Sequence, residues 1–427
     1  GGGHVSGQTM TDRGNLFWLP AKPADFAVRL STAQDSVGPL GPELKQLASH
    51  ALDSNGLNRL AKALRKARAD GRDLKPLTPF RLGVLSNSTT ALIGPALEAT
   101  ALRHGLALEV IEAPFGQIMQ EALDPQSLLA TEQPDAILLA MDVHGLALRE
   151  SPGDADQAEA TLSAILGQFD AIRQGLRANT GATLIWQTVP RLPETLFGSY
   201  DFRLPGTHRW LVDRLNRRLA DSFPADELLV DDAGLAETVG LDAWHDPVLR
   251  NIGKLPFAQQ YAPIFAEHVA RVIGALRGKS RKALVLDLDN TLWGGIIGDD
   301  GLEGIVIGQG SAVGEAHLAV QRGALDLHGR GVVLAVSSKN EDAAARSPFR
   351  EHADMLLRED HIAVFQANWV DKATNLVWVM VGSAGVDRYI GMEALQRRPE
   401  IVVTNMRAVH GPAIADHVMA MLLTMTR

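Results

Sequence analysis

The chain has 427 residues, no cysteine, 41 basic against 50 acidic side chains, and a net charge of −9. The missing thiols exclude disulfides, zinc–thiolate centres and a cysteine nucleophile, and the acidic balance argues against non-specific nucleic-acid binding. With 46% apolar residues and no apolar run of the ~18 residues that a membrane span needs, the sequence predicts a globular, multidomain α/β protein of the cytoplasm. Neither nucleic acid nor membrane is expected as a partner. The first residues, opening Gly1-Gly2-Gly3, lack a charged stretch followed by an apolar one and are read as a tag, scar or fragment edge rather than a signal peptide.

Residues 1–78 read as a leader followed by helix. Leu57, Leu60, Ala61, Leu64 and Ala67 recur at helical spacing. Arg65, Lys66 and Arg68 between them are expected to form a solvated face. From Phe80 the rhythm changes. RLGVLS (81–86), LALEVIEA (106–113), AILLAMD (136–142) and ATLIWQTV (182–189) read as strands separated by helical patterns, notably 156–176. Such alternation predicts a parallel sheet over 79–277. An amphipathic helix is expected over 257–276, followed by the basic linker GKSRK (278–282). ALVLDLD (283–289) and VVLAVSS (332–338) open a second α/β unit over 278–376. The remaining 377–427 pairs strands VWVMVG (377–382) and IVVTN (401–405) with a Met-rich helix at 412–426. No internal repeat or low-complexity segment interrupts this order.

Asp287-Leu-Asp289-Asn-Thr291 directly follows an apolar strand. At a strand-to-loop turn both carboxylates can serve one site. The first has the chemistry of a nucleophile toward phosphorus, and the second can shuttle a proton and then activate water. Thr291 can donate to a phosphoryl oxygen. Two crowded carboxylates call for a hard counter-cation, so Mg²⁺ is the expected cofactor, held by Asp287 and Asp289. Ser338 after the next strand and Lys372 beyond it complete a spacing that resembles the haloacid dehalogenase (HAD) superfamily. More specifically, DLDNTLWGGIIGDDGLEGIVIGQGSAVGEA (287–316), VSSKNEDAA (336–344) and VFQANWVDKATNL (364–376) resemble FkbH-like proteins, over roughly residues 16–376.

The resemblance implies removal of phosphate from a small phosphorylated acyl substrate of the 1,3-bisphosphoglycerate class. It also implies loading of the glyceryl group onto an acyl carrier protein in polyketide-type biosynthesis. Asp287 is then nucleophile and metal ligand, Asp289 the acid/base, and Thr291, Ser338 and Lys372 the phosphate-binding groups. Two departures stand out. Ser337 occupies a position where related sequences often carry an acyl-holding cysteine. The two aspartates expected about twenty residues after Lys372 are absent, since that stretch reads Met392-Glu393-Ala394-Leu395-Gln396 and the next strand ends at Thr404-Asn405. Residues 377–427 resemble instead part of a D-2-hydroxyacid dehydrogenase, cut before its dinucleotide-binding domain and catalytic residues, so an NAD-dependent dehydrogenase is disfavoured. The tail's strands are expected to fill the vacated edge of the HAD-like sheet.

Gly308-Gln-Gly310-Ser-Ala-Val-Gly314 mimics a dinucleotide loop, but its spacing and the lack of an acidic residue after the next strand argue for a structural loop. In the earlier unit, LSNSTT (85–90) places serines at a strand-to-helix turn, where ligands gather in parallel sheets. Asp242-Ala-Trp-His245 and Gly116 resemble the later motifs of SGNH-type hydrolases. That resemblance implies Ser88 as nucleophile, with Ser86 as the alternative, His245 as base and Asp242 as its orienting group. The same residues also fit ordinary helix N-caps and a packing histidine. The fold expected is a parallel-sheet SGNH-like domain followed by a capless HAD-like domain, with a grafted α/β tail. An acyl hydrolase or transferase using the Ser88/His245 site alone, with the HAD-like site inactive, and a catalytically dead fusion, stay open as alternatives.

Overall fold

A computed structural model describes residues 16–367 and, beyond them, the strands at 378–381 and 402–405. The chain divides between Lys279 and Ser280, inside the basic linker.

The first unit opens with helices α1 (Phe26–Asp35), α2 (Gly41–Ala48) and α3 (Ser54–Ala69). Asp53 caps α3, its carboxylate accepting the Gly56 N–H at 2.9 Å. Leu57, Leu60, Ala61, Leu64 and Ala67 are buried along one face of the helix. The opposite face is not simply solvated, as the sequence suggested. Arg65 Nε donates to Glu98 at 2.6 Å and Arg68 Nη2 to the Leu108 carbonyl at 2.7 Å. Their long stems let charges on a solvent-side turn reach neighbouring elements.

The sheet is built from β1 (Thr78–Ser86), β2 (Leu106–Glu112), β3 (Ala136–Ala140), β4 (Thr183–Gln187) and β5 (Leu228–Val230), all parallel, in the order β2-β1-β3-β4-β5. Leu82 sits opposite both Val110 and Ala136, which fixes β1 in the middle of this register. Strands covered on both faces read as continuous apolar runs, and AILLA of β3 is buried at every position. One face packs on α3, α4 (Ile93–Arg103), α9 (Asp232–Val239) and α12 (Ala262–Leu276), through Leu57, Leu97, Val84, Leu235 and Phe265. The other packs on α5 (Ile118–Leu123), α7 (Ala155–Asn179) and α8 (His208–Asp221), through Ile137, Leu162, Phe169, Trp186 and Leu215. At Gly175 the α7 backbone runs so close to α5 that an added Cβ would stand 2.5 Å from the Ala122 carbonyl oxygen.

Short elements complete the unit: α6 (Leu128–Glu132), α10 (Leu241–Trp244) and α11 (Pro247–Gly253). The amphipathic helix begins at Ala262 rather than 257, with Pro263 in its first turn. Phe257 and Tyr261 precede it and stack on buried Trp244, ring centroids 4.7 and 5.7 Å away.

In the second unit, β6 (Ala283–Leu286), α13 (Ile297–Gly304), α14 (Ala312–Gly329), β7 (Val333–Ser337), α15 (Asp342–Glu351) and β8 (Ile362–Gln366) alternate. The strands form a parallel sheet in the order β6-β7-β8. Leu284, Leu286, Leu334 and Val336 enter a core with Trp293, Leu327 and Phe349. β6 is shorter than the expected 283–289 because the chain turns at once: the Thr291 N–H bonds the Leu288 carbonyl at 3.1 Å, and Asn290 takes φ +57°. The Gly308–Gly314 loop serves α14 as a cap, the Gly314 N–H bonding Ser311 Oγ at 2.9 Å. β9 (Trp378–Val381) and β10 (Val402–Asn405) pair in parallel with each other. They form their own two-stranded sheet and do not extend β6-β7-β8, against the expectation that the tail would fill that edge. Lys372, Met392–Gln396 and the Met-rich segment lie outside the described residues. Among the described residues no helix is long and apolar enough to cross a membrane.

Candidate active site

The turn after β6 and the loop after β7 meet. Asp287 is solvent-accessible at the strand end, and its Oδ1 accepts the N–H of Leu288 at 2.8 Å. Desolvation by the surrounding turn raises its pKa. The neighbouring Asp289 pushes the same way, while the Leu288 amide and Lys339 oppose it. Asp289 is the more firmly held of the two. Its Oδ1 accepts from the Ile297 N–H at 3.1 Å and from Trp293 Nε1 at 3.3 Å, and its Oδ2 from Asn340 Nδ2 at 3.0 Å.

Ser338 is buried just beyond β7. Its N–H donates to the Gln366 carbonyl at 2.8 Å, and its Oγ accepts the Asn340 N–H at 3.2 Å. Asn340 therefore holds both loops, side chain on Asp289 and backbone on Ser338. Thr291 follows the turn, its carbonyl paired with His317 Nδ1 at 2.9 Å. Asp287, Asp289, Thr291 and Ser338 thus all lie on the β6 and β7 loops. Lys339 and Asn340 belong to the same constellation, although sequence reasoning gave them no role. Both stand in the VSSKNED stretch directly after Ser338, and that position was the available signal.

The first unit gathers a different set. The β2-β1-β3-β4-β5 order places a topological switch point between the carboxyl ends of β1 and β3, where doubly wound sheets hold ligands. Ser88 lies there, buried. Its hydroxyl donates to Asp142 Oδ2, and Arg250 Nη1 donates both to Ser88 Oγ at 2.8 Å and to Asp142 Oδ2 at 2.6 Å. Ser86 Oγ donates to the Ala140 carbonyl at 2.8 Å and accepts the Ser88 N–H at 3.0 Å. His245 pairs instead with the Arg191 carbonyl at 2.9 Å, and Asp242 is exposed on α10.

The structure therefore does not join Ser88, His245 and Asp242 by hydrogen bonds. The place beside Ser88 where a base was expected holds a carboxylate and a guanidinium. A carboxylate is too weak a base to take a serine proton as an imidazole would, and an arginine, always protonated, has no site to take one. Gly116 adopts φ +74° in the turn after β2. Asp142 and Arg250 were missed by sequence reasoning. Asp142 closes the AILLAMD run, so its strand-end position was visible, whereas Arg250 lies far along the chain in a short helix.

The family model described as FkbH, N-terminal domain, matches residues 81–274. Among solved structures, the chain is similar to the N-terminal part of the protein BF1531 from Bacteroides fragilis, described as containing a phosphatase domain complexed with Mg. The two share 24% identity with a TM-score of 0.69, over 88% of this chain and 98% of that one. At that identity the likeness speaks for the fold, which in this chain is α/β with parallel sheets. No curated protein matches the chain.

Proposed function

We propose that the second unit is a Mg²⁺-dependent, HAD-type phosphatase centre of FkbH-like character. On this reading it removes the ester phosphate of a 1,3-bisphosphoglycerate-class substrate, and the glyceryl group passes to an acyl carrier protein when the carrier's thiol attacks the acyl carbon, the thioester forming as the acyl phosphate leaves. The observation that carries it is the convergence of Asp287, Asp289 and Ser338, with Asn340 bonded to both loops. The family match and the Mg-bound phosphatase relative support the same direction.

The donor set fits a hard cation. Two neighbouring carboxylates repel one another, and Asp287 is engaged by one backbone amide. Asp287 and Asp289 would hold Mg²⁺, an ion that keeps waters and substrate oxygens around one or two carboxylates. When bound, Mg²⁺ would offset the carboxylates' charge and polarise the phosphoryl oxygens.

Asp287 attacks phosphorus and forms an aspartyl phosphate as the bond to the leaving oxygen breaks. Asp289 gives that oxygen its proton, then takes one from the water that hydrolyses the aspartyl phosphate. The hydrogen bonds from Asn340, Trp293 and Ile297 keep Asp289 aimed during both transfers. Thr291 and Ser338 bind the phosphoryl oxygens, with Lys372 completing the set. The test is Mg²⁺-dependent phosphate release from 1,3-bisphosphoglycerate, corrected for spontaneous hydrolysis, beside Asp287→Asn, with intact-mass detection of a glyceryl adduct on an acyl carrier protein. Release that the substitution abolishes supports the phosphatase reading. Release without an adduct removes the transfer step, and no release from folded protein removes both.

A further inference from the structure

Residues 245–257 leave the core and return to the same place. Trp244 is fully buried at one end, Phe257 stacks on it at the other, and the Ala258 N–H closes the neck on the Trp244 carbonyl at 2.7 Å. Between these ends lies α11, which buries no residue, and its Val248 and Ile252 are 65% and 79% exposed. Polar contacts hold the body of the excursion down. Arg250 reaches Ser88 and Asp142, the Lys254 carbonyl accepts the Thr89 N–H at 2.9 Å, and His245 reaches the Arg191 carbonyl. An ordered neck and a body that buries no residue of its helix and is tied down by these polar contacts is the build of a segment that opens locally while its ends stay fixed.

Two of its anchor residues, Ser88 and Thr89, line a cavity of about 170 Å³ at the carboxyl ends of β1 and β2. Its other walls are Ser86, Thr90, Glu112 and Phe115 with two alanines. Hydroxyl oxygens and one carboxylate suit a ligand that brings hydroxyl donors. Glu112, already accepting from Thr90 at 2.5 Å, disfavours an anion, and the volume admits only a few heavy atoms.

We propose that residues 245–257 are a lid hinged beside a binding site for a small, neutral, polyhydroxylated molecule, latched by Arg250 on Asp142 and on Ser88, a residue of the cavity wall. The site lies wholly within the first unit.

Hydrogen–deuterium exchange on the full chain tests both halves. In Arg250→Ala, exchange within 245–257 rises about tenfold or more, and by more than that of β3, so that the loss is local to the segment and exceeds the global loss from unpairing buried Asp142. Unchanged exchange in 245–257 overturns the lid. Glycerol and methyl glycerate at millimolar concentration slow exchange over 87–91 and 245–257, and glycerate anion does not. Protection by glycerate alone, or by none of the three, overturns the assigned ligand class. Glu112→Ala, which leaves the latch in place, abolishes the protection by glycerol. Protection that survives it would place the ligand elsewhere.

Discussion

Asn340 Nδ2 donates to Asp289 Oδ2 across 3.0 Å, and the same residue's backbone N–H bonds Ser338 Oγ at 3.2 Å. One residue thereby ties the carboxylate turn after β6 to the Ser338 loop after β7. Groups that orient a metal-binding carboxylate typically matter by one to two orders of magnitude. Asn340→Ala is expected to lower Mg²⁺-dependent phosphate release by roughly 10–100-fold and to raise the Mg²⁺ concentration needed for half-maximal rate. A Mg²⁺ titration of initial rates checks both, and an unchanged Mg²⁺ requirement would remove Asn340 from the site.

Glu267 is buried in α12 among cations: Arg271 Nε at 2.8 Å, His104 Nε2 at 3.2 Å and Arg103 Nε at 3.3 Å. Burial by itself would raise its pKa. Arg103, then His104 and Arg271, overcome that and hold it well below the ordinary glutamate range. A depressed carboxylate contributes stability above its unfolded-state pKa, and that contribution fades as pH falls below it. Removing one member of a buried charge cluster leaves the others uncompensated, so Glu267→Gln should cost about 3 kcal/mol at neutral pH. Urea unfolding at pH 7 and pH 4 should show the gap to wild type narrowing in acid.

Asp232 behaves in the opposite sense. It is 2% exposed at the start of α9, and desolvation first, then Asp231 and Asp142, raise its pKa well above the usual value. A carboxyl whose folded pKa lies above its unfolded one loses stability as pH rises between the two. Asp232→Asn keeps the shape and removes the ionisation. The variant is expected to match wild type in mild acid and to exceed it increasingly toward alkaline pH. Parallel stability curves for the two proteins across pH would contradict this.

Trp244 fills the floor of the lid's neck and touches Phe257 and Tyr261. Trp244→Ala should cost about 3–5 kcal/mol. Trp244→Phe should cost less and keep the neck closed. Chemical denaturation of both variants gives the comparison.

The strand-rich frame was legible because parallel strands buried on both faces advertise themselves as apolar runs, as RLGVLS and AILLA do. β5 escaped notice because Leu228–Val230 is too short to show any period, and β8 because its apolar run, Ile362–Phe365, is only four residues long. The start of α12 was misplaced since Phe257 and Tyr261 keep helical spacing while serving Trp244 from a turn. At the candidate centre, Asp287, Asp289 and Ser338 follow strands and could be read from that position alone. The Ser88 pairing could not. Which side chain faces Ser88 depends on a long return of the chain, and local pattern favoured His245 where the fold delivers Arg250.

The leading helices bear on how the protein can be dissected. α3 lays its leucines in the core that α4 and β1 share, so a fragment begun at residue 81, where the family match begins, would leave the α3-facing side of α4 bare. Such an excised piece would aggregate or need a foreign helix laid on α4, whereas one begun ahead of Leu16 would bring its own cover.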